Sequence, residues 1–188
     1  MERCAWAIKT PLEQDYHDCE WGVPQHDDRI LYEFLILESM QAGLSWRTIL
    51  QKRANYRQAY QGFDPLKVIH FGPKEVEFML QNPGLIRNRA KIEGSLETTK
   101  LFLNIQESHG SFANYLWNFV DGKPIHNQRK TLKEAPTTTP LSDQLSKDLK
   151  KRGIKFFGST TAYAFLQAIG VVNDHVVTCF RHQEVMKL

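Results

Sequence analysis

Glu38 stands where an acid is costly. Between Asp28 and Gln41 the apolar residues Ile30, Leu31, Phe34, Leu35 and Leu37 recur at helical spacing. On a wheel of about 100° per residue, Glu38 falls near the middle of their stripe, and Gln41 falls on it too. A carboxylate there requires a partner, either an arginine or backbone amides, or a ligand that is cationic or rich in donors. Trp6, Tyr16, Trp21 and Trp46 surround it in sequence. Their π faces attract cations and stack on bases. An acid beside such faces suits a flat, positively charged heterocycle, although each ring alone fits a core position equally well.

A second set of residues could bind metal. His175 and Cys179 stand four apart, which on a helix places them on one face. Cys4 and His17, near the other end of the chain, could complete a tetrahedral Cys2His2 site tying the two termini together, with Cys19 and His182 as competing ligands. Three cysteines do not make a disulfide framework, and a reducing compartment, the cytoplasm, is expected. Cys179 as a nucleophile lacks an accompanying oxyanion-hole signature.

A third set could bind phosphate. Residues 142–170 read as two helices joined by the short loop around Ile154–Gly158. The backbone N–H groups of Gly158, Ser159 and Thr160 would point outward from the second helix, as an anion site requires. Lys147, Lys150, Lys151, Arg152 and Lys155 precede them, against Asp148 alone. Charge is uneven along the chain: residues 11–40 hold eight acids and one arginine, whereas residues 41–188 hold 21 cations and 12 acids. A basic bulk favours a polyanionic partner. Arg47, Lys52, Arg53 and Arg57, with Arg87, Arg89 and Lys91, could extend that surface along a backbone, and equally fit a mixed surface.

The elements that must carry these residues are helical. Asp27 or Asp28 caps the Glu38 helix, Ser45 the next to about Tyr60, Pro73 opens a short one, and about Asn88 a long one. Phe112 to Phe119 suggests another. Ser142 or Asp143 starts the first hairpin helix. Residues 123–141, rich in Thr, Pro and Lys, read as a surface loop. No alternating run reads as a strand, so the fold class is all-α. The 188 residues suit a single domain spanning 1–188. No apolar run nears the ~20 residues that span a bilayer, and no signal peptide is expected.

Two resemblances sharpen these readings. Ile154 to Ala162 resembles the L-P-G-V-G-R-K-T-A motif of helix-hairpin-helix DNA glycosylases, with Gly158, Thr161 and Ala162 matching and Lys155 and Phe156 departing. Val172 to Val176 resembles the V-D-T-H-V segment of that superfamily, whose catalytic Asp falls on Asn173 and whose lyase Lys falls on Thr160. Met1–Cys4, Tyr16–Asp18, Glu20–Pro24, Glu38, Gln41–Trp46, Lys150–Gly153 and Val172–Val177 together resemble the 3-methyladenine DNA glycosylase I (TAG) family over nearly the whole chain. The resemblance implies a helix-hairpin-helix glycosylase-like helical fold with one structural zinc on Cys4, His17, His175 and Cys179. It implies a base pocket of Glu38, Tyr16, Trp21 and Trp46, with Trp6 as a wall.

The implied reaction is monofunctional hydrolysis of the N-glycosidic bond of 3-methyladenine in double-stranded DNA after base flipping. It leaves an abasic site and free 3-methyladenine. Glu38 would accept from the adenine edge, Trp46 and Tyr16 would stack on the base, and Gln41 to Leu44, including Gly43, could wedge into the vacated stack. The chain is expected to act as a monomer away from membranes. A non-catalytic, zinc-stapled DNA-binding module is the alternative.

Overall fold

A computed structural model describes residues 1–188. The chain forms α1 (Pro11–Cys19), α2 (Asp28–Gln41), α3 (Trp46–Ala59), α4 (Pro65–Val68), α5 (Pro73–Gln81), α6 (Arg89–His109) and α7 (Phe112–Trp117). Then follow β1 (Ile125–His126), α8 (Pro140–Lys151), α9 (Ser159–Ala168), β2 (Val172–Asn173) and α10 (Phe180–Val185). The helical expectation holds, apart from one two-residue parallel bridge that pairs Ile125 with Val172 and His126 with Asn173. No helix is long and apolar enough to cross a membrane.

Local chemistry starts most helices. The side chains of Asp27, Ser45 and Asn88 accept from amides in the first turns of α2, α3 and α6, as their positions in the sequence predict. Helix α8 begins earlier than Ser142. Thr139 accepts from Ser142 N, Pro140 fills the first turn, and Ser142 Oγ in turn accepts from Thr139 N. The 123–141 segment is more than a loop. It holds β1 and a 3-10 turn at Leu132–Glu134, and Arg129 anchors it on Asp174 at 2.6 Å. Helix α1 has no apolar stripe strong enough to announce it, yet its neighbours bury Tyr16 and His17.

Helix α2 is the axis of the fold. It packs against α3, α6, α7 and α9. Its sequence suggests one buried face, but every residue from Leu31 to Met40 is buried. Its polar side chains are accordingly paired. Tyr32 bonds to Thr99 at 2.6 Å, Ser39 donates to Leu35 O at 2.9 Å, and Glu33 accepts from Arg53 at 2.6 Å and Arg57 at 3.0 Å. Glu38 Oε2 has no partner.

The far end of α2 is held from outside. Its last turn has no basic residue, and Lys91 of α6 supplies the charge: Nζ donates to Met40 O at 2.8 Å and Ala42 O at 2.6 Å. A second tie fixes the chain after α1, where Gly22 N and Gln25 N donate to Gln167 O and Ile169 O at the end of α9. Gly170, at φ 73°, permits this approach. A Cβ there would lie 2.3 Å from the backbone of Val23 and Pro24.

Replacing Lys91 by Met removes two charge-assisted bonds to carbonyls at the end of α2, one of them buried. Stability should fall by about 2 kcal/mol, read from the denaturant midpoint. Amide exchange at Gly43 and Leu44, just beyond α2, should accelerate.

Candidate active site

Six segments of chain meet around a cavity of about 410 Å3. Trp6 and Lys9 come from the N-terminal turn, Glu13 and Tyr16 from α1, and Trp21 from the bend after it. Glu38 and Gln41 come from α2, Ser45 to Arg47 from the start of α3, and Ala164 and Gln167 from α9. The sequence-predicted pocket residues Glu38, Tyr16, Trp21, Trp46 and Trp6 are thus brought together, along with Gln41. The rings form a continuous wall. Trp6 meets Trp21 edge-on at 5.2 Å, Tyr16 lies 5.4 Å from Trp46, and Phe34 backs Trp46 at 6.4 Å.

The floor is polar and unpaired. Glu38 is 3% exposed, and both its Oε2 and the buried Nε1 of Trp46 lack partners. Such groups are costly to bury, and here they line one cavity as an acceptor and a donor awaiting a ligand. Burial pushes the Glu38 carboxyl up to about 8. Tyr16 is also pushed well above its ordinary value, by burial first and then by the charges of Glu38 and Glu20, so its hydroxyl stays protonated.

Behind the ring wall lies a second centre. Cys4, His17, His175 and Cys179 are buried, with ligand atoms all within 4.8 Å of one another. Cys179 Sγ is 3.4 Å from His17 Nε2 and 3.6 Å from His175 Nδ1, and Cys4 Sγ is 3.7 Å from His175 Nδ1. Two sulfurs and two nitrogens around a tetrahedral ion would sit about 3.5 Å apart in S···N pairs. The donor set therefore fits a metal ion. The outer shell fits as well: His17 Nδ1 meets Asp18 at 2.8 Å, which Arg3 grips in turn, while His175 Nε2 meets Trp21 O at 3.0 Å. These contacts leave His17 Nε2 and His175 Nδ1 for the ion. Cys19 is exposed and His182 bonds to Asn127 O, so neither joins the cluster.

His175 and Cys179 do not share a helix face, contrary to the spacing argument. Asn173 Oδ1 accepts from His175 N, turning the chain out of β2. Cys179 closes a turn onto Val176 O, and α10 starts only at Phe180.

The basic sets need correction too. Arg53 lies buried between Glu20 and Glu33, Arg57 pairs with Glu33, Arg47 with Glu13 and Arg89 with Glu77. Lys91 faces inward. These side chains hold the fold together and form no continuous groove. The hairpin is different. Lys147, Lys150 and Lys151 line a depression ending at Ser159, and Gly158 offers α9 no side-chain cap. Gln41, Gly43 and Leu44 border a small cleft against Thr160 and Thr161. The loop after α2 and the hairpin tip therefore adjoin.

Six cavity residues escaped the sequence reading: Lys9, Glu13, Ser45, Arg47, Ala164 and Gln167. Glu13 was legible in principle, one turn before Tyr16 on the same face. Nothing marks Gln167, whose Nε2 donates to Asp174 at 2.7 Å. Burial opposes the ionised form of Asp174, but donors on Tyr163, Gln167, Arg129 and Asn127 hold its carboxyl below the usual range. Asn173 bridges His175 N and His182 O. Neither lines the cavity, and Asp174 reaches it only through Gln167.

A helical frame and a carboxylate-floored aromatic cavity, set beside a four-donor thiol–imidazole cluster that could hold a metal ion, define the class of protein. Comparison with known proteins narrows this. The methyladenine glycosylase family model matches residues 6–182, and the chain belongs to that family. The DNA-3-methyladenine glycosylase 1 of Escherichia coli (strain K12) is 48% identical over 179 residues, covering 95% of this chain and 96% of the relative. A crystal structure of 3-methyladenine DNA glycosylase I (TAG) superposes with a TM-score of 0.92 at 48% identity, covering 95% of this chain and 98% of that one. A variant of TAG solved in complex with 3-methyladenine also has a TM-score of 0.92, at 37% identity, covering 96% and 97%.

The Glu38 site predicts a pH dependence. In the empty cavity the neutral acid is favoured, so between about 4.5 and about 8 the folded chain binds more protons than the unfolded one. Stability then falls as pH rises through that window and levels off above it. Glu38→Gln, which stays neutral, should lose this component. Its melting temperature should gain on the wild type as pH rises, checked by thermal melts across the range.

Proposed function

We propose that this chain hydrolyses the N-glycosidic bond of 3-methyladenine in alkylated double-stranded DNA, leaving an abasic site. Family membership and the relatives named for this activity support the reading. The observation that carries it is the unpartnered Glu38 carboxyl on the floor of a ring-walled cavity.

Methylation at N3 gives the base a positive charge while it is still attached to the sugar. As the glycosidic bond breaks, its electron pair neutralises the base. Water adds its oxygen to the sugar carbon and releases one proton. The chain's task is to extract the nucleotide and hold the cationic base. Glu38 accepts hydrogen bonds from the adenine edge. The cation offsets the burial penalty on its charge, so binding draws the carboxyl towards its ionised form. Tyr16 and Trp46 stack on the ring, and Trp21 with Trp6 limits its size. Leu44, 41% exposed beyond Gly43 at φ 80°, fills the gap left in the stack. The open start of α9 and Lys147, Lys150 and Lys151 take backbone phosphates.

In this reading Cys4, His17, His175 and Cys179 hold one zinc ion. Four protein ligands close the coordination sphere, so the metal joins the termini and takes no part in hydrolysis.

The deciding experiment measures free base released from alkylated duplex by wild type and Glu38→Gln. Wild type should release 3-methyladenine and leave an unbroken abasic strand. The variant should lose that release by far more than it loses affinity for undamaged DNA. A wild type that binds DNA and releases nothing would instead favour a binding module. Metal analysis should find one zinc per chain. Chelation should lower the melting temperature, and replacing zinc by cobalt should restore stability without changing the rate. A rate that tracks the metal would sink the structural assignment.

A further inference from the structure

The cavity has a buried floor and an exposed rim, and the rim carries the opposite charge. Glu38 and Tyr16 lie at the bottom. Lys9 and Ser45 are the exposed lining residues and so mark the mouth, with Arg47 two residues after Ser45. The Arg47 side chain is 38% exposed, yet one edge of its guanidinium is fixed: Nε and Nη2 donate to Glu13 Oε2 at 3.1 and 2.9 Å. Thr10 Oγ1 donates to the same oxygen at 2.8 Å. Burial opposes the ionised form of Glu13, but Arg47 and Thr10 outweigh it, so Glu13 is an ionised anchor. Arg47 Nη1 makes no hydrogen bond within the chain. Lys9 makes no ion pair.

We infer that Arg47, oriented by Glu13, is a preformed clamp for the phosphodiester of the extruded nucleotide. The inference rests on the base-extruding reading above. A nucleotide carrying a cationic base is positive at one end and negative at the other. A cavity with an acidic floor and a basic mouth matches both ends in one orientation only. Arg47 directly follows Trp46, so the group that stacks the base and the group that holds its phosphate share the first turn of α3. Guanidinium geometry permits this double role, with one edge on a carboxylate and the remaining N–H groups on phosphate oxygens. The ion pair sets the side chain before DNA arrives, which lowers the ordering cost on binding.

The test compares wild type, Arg47→Met and Arg47→Lys on two duplexes, one undamaged and one carrying a stable abasic analogue that mimics the extruded state. Arg47→Met should weaken abasic-duplex binding by about tenfold or more and lower its salt slope by about one. Binding to undamaged duplex should change far less. Arg47→Lys keeps the charge but cannot serve Glu13 and phosphate with separate edges. It should restore the slope and only part of the affinity. Thermal melting of all three proteins serves as the folding control. Equal loss on both duplexes, or no loss on either, would overturn the clamp. Base release by wild type is scored separately, so failure of the glycosylase reading would show there.

Discussion

Complete burial of α2 is the constraint around which the molecule is arranged. A helix enclosed on all sides cannot leave a polar side chain without a partner except at a cost of a few kcal/mol. Tyr32, Glu33 and Ser39 each meet that demand with a named donor or acceptor. The partners of Tyr32 and Glu33 lie on other helices, so satisfying them also fixes α6 and α3 around the axis. Glu38 is the exception on this helix, and it faces the one large ring-lined cavity. The cavity thus holds the one carboxylate on this helix that the chain itself leaves without a partner.

Two centres share a wall. Trp21 stands edge-on to Trp6 in the cavity and 4.5 Å from the His175 ring behind it, while its carbonyl accepts from His175. His17 sits one residue after Tyr16, so α1 presents one side chain to the cavity and the next to the metal-type cluster. A cluster that lies outside the cavity thereby sets the position of the rings that line it. Rigid, ring-lined walls suit discrimination among bases, because a fixed aromatic surface rejects by shape rather than by a hydrogen bond that water could replace.

Much of this was legible in the sequence, though not always for the right reason. Caps and periodicity located α2, α3 and α6 because Asp27, Ser45 and Asn88 carry side-chain acceptors at helix starts. Glu38 stood out on a helical wheel as an acid on an apolar stripe. The stripe proved to be the whole helix, and Ile30, one of its supposed members, is 36% exposed. The four thiol and imidazole ligands came from family resemblance, since their spacing implied a helix that Asn173 prevents. Arg53 and Arg57 read as basic surface because composition records charge but not its partners. Gln167 was silent, and Arg47 read only as one of a basic set, because their places at the cavity arise from contacts between segments far apart in the chain.

The closure of that four-donor cluster bears on the order in which the molecule assembles. Cys4 and His175 meet across 171 positions of sequence. Contacts so distant form late, since loop-closure entropy must be met before they stabilise anything. The helices around α2 can consolidate earlier from nearer neighbours. A chain caught between these stages would have its hydrophobic interior and a stable axis but no finished ring wall, because Trp21 and Trp6 are set by the last closure. Consolidation of the helices and completion of the ring wall are then separate events in time, and closure of the cluster is the step that divides them.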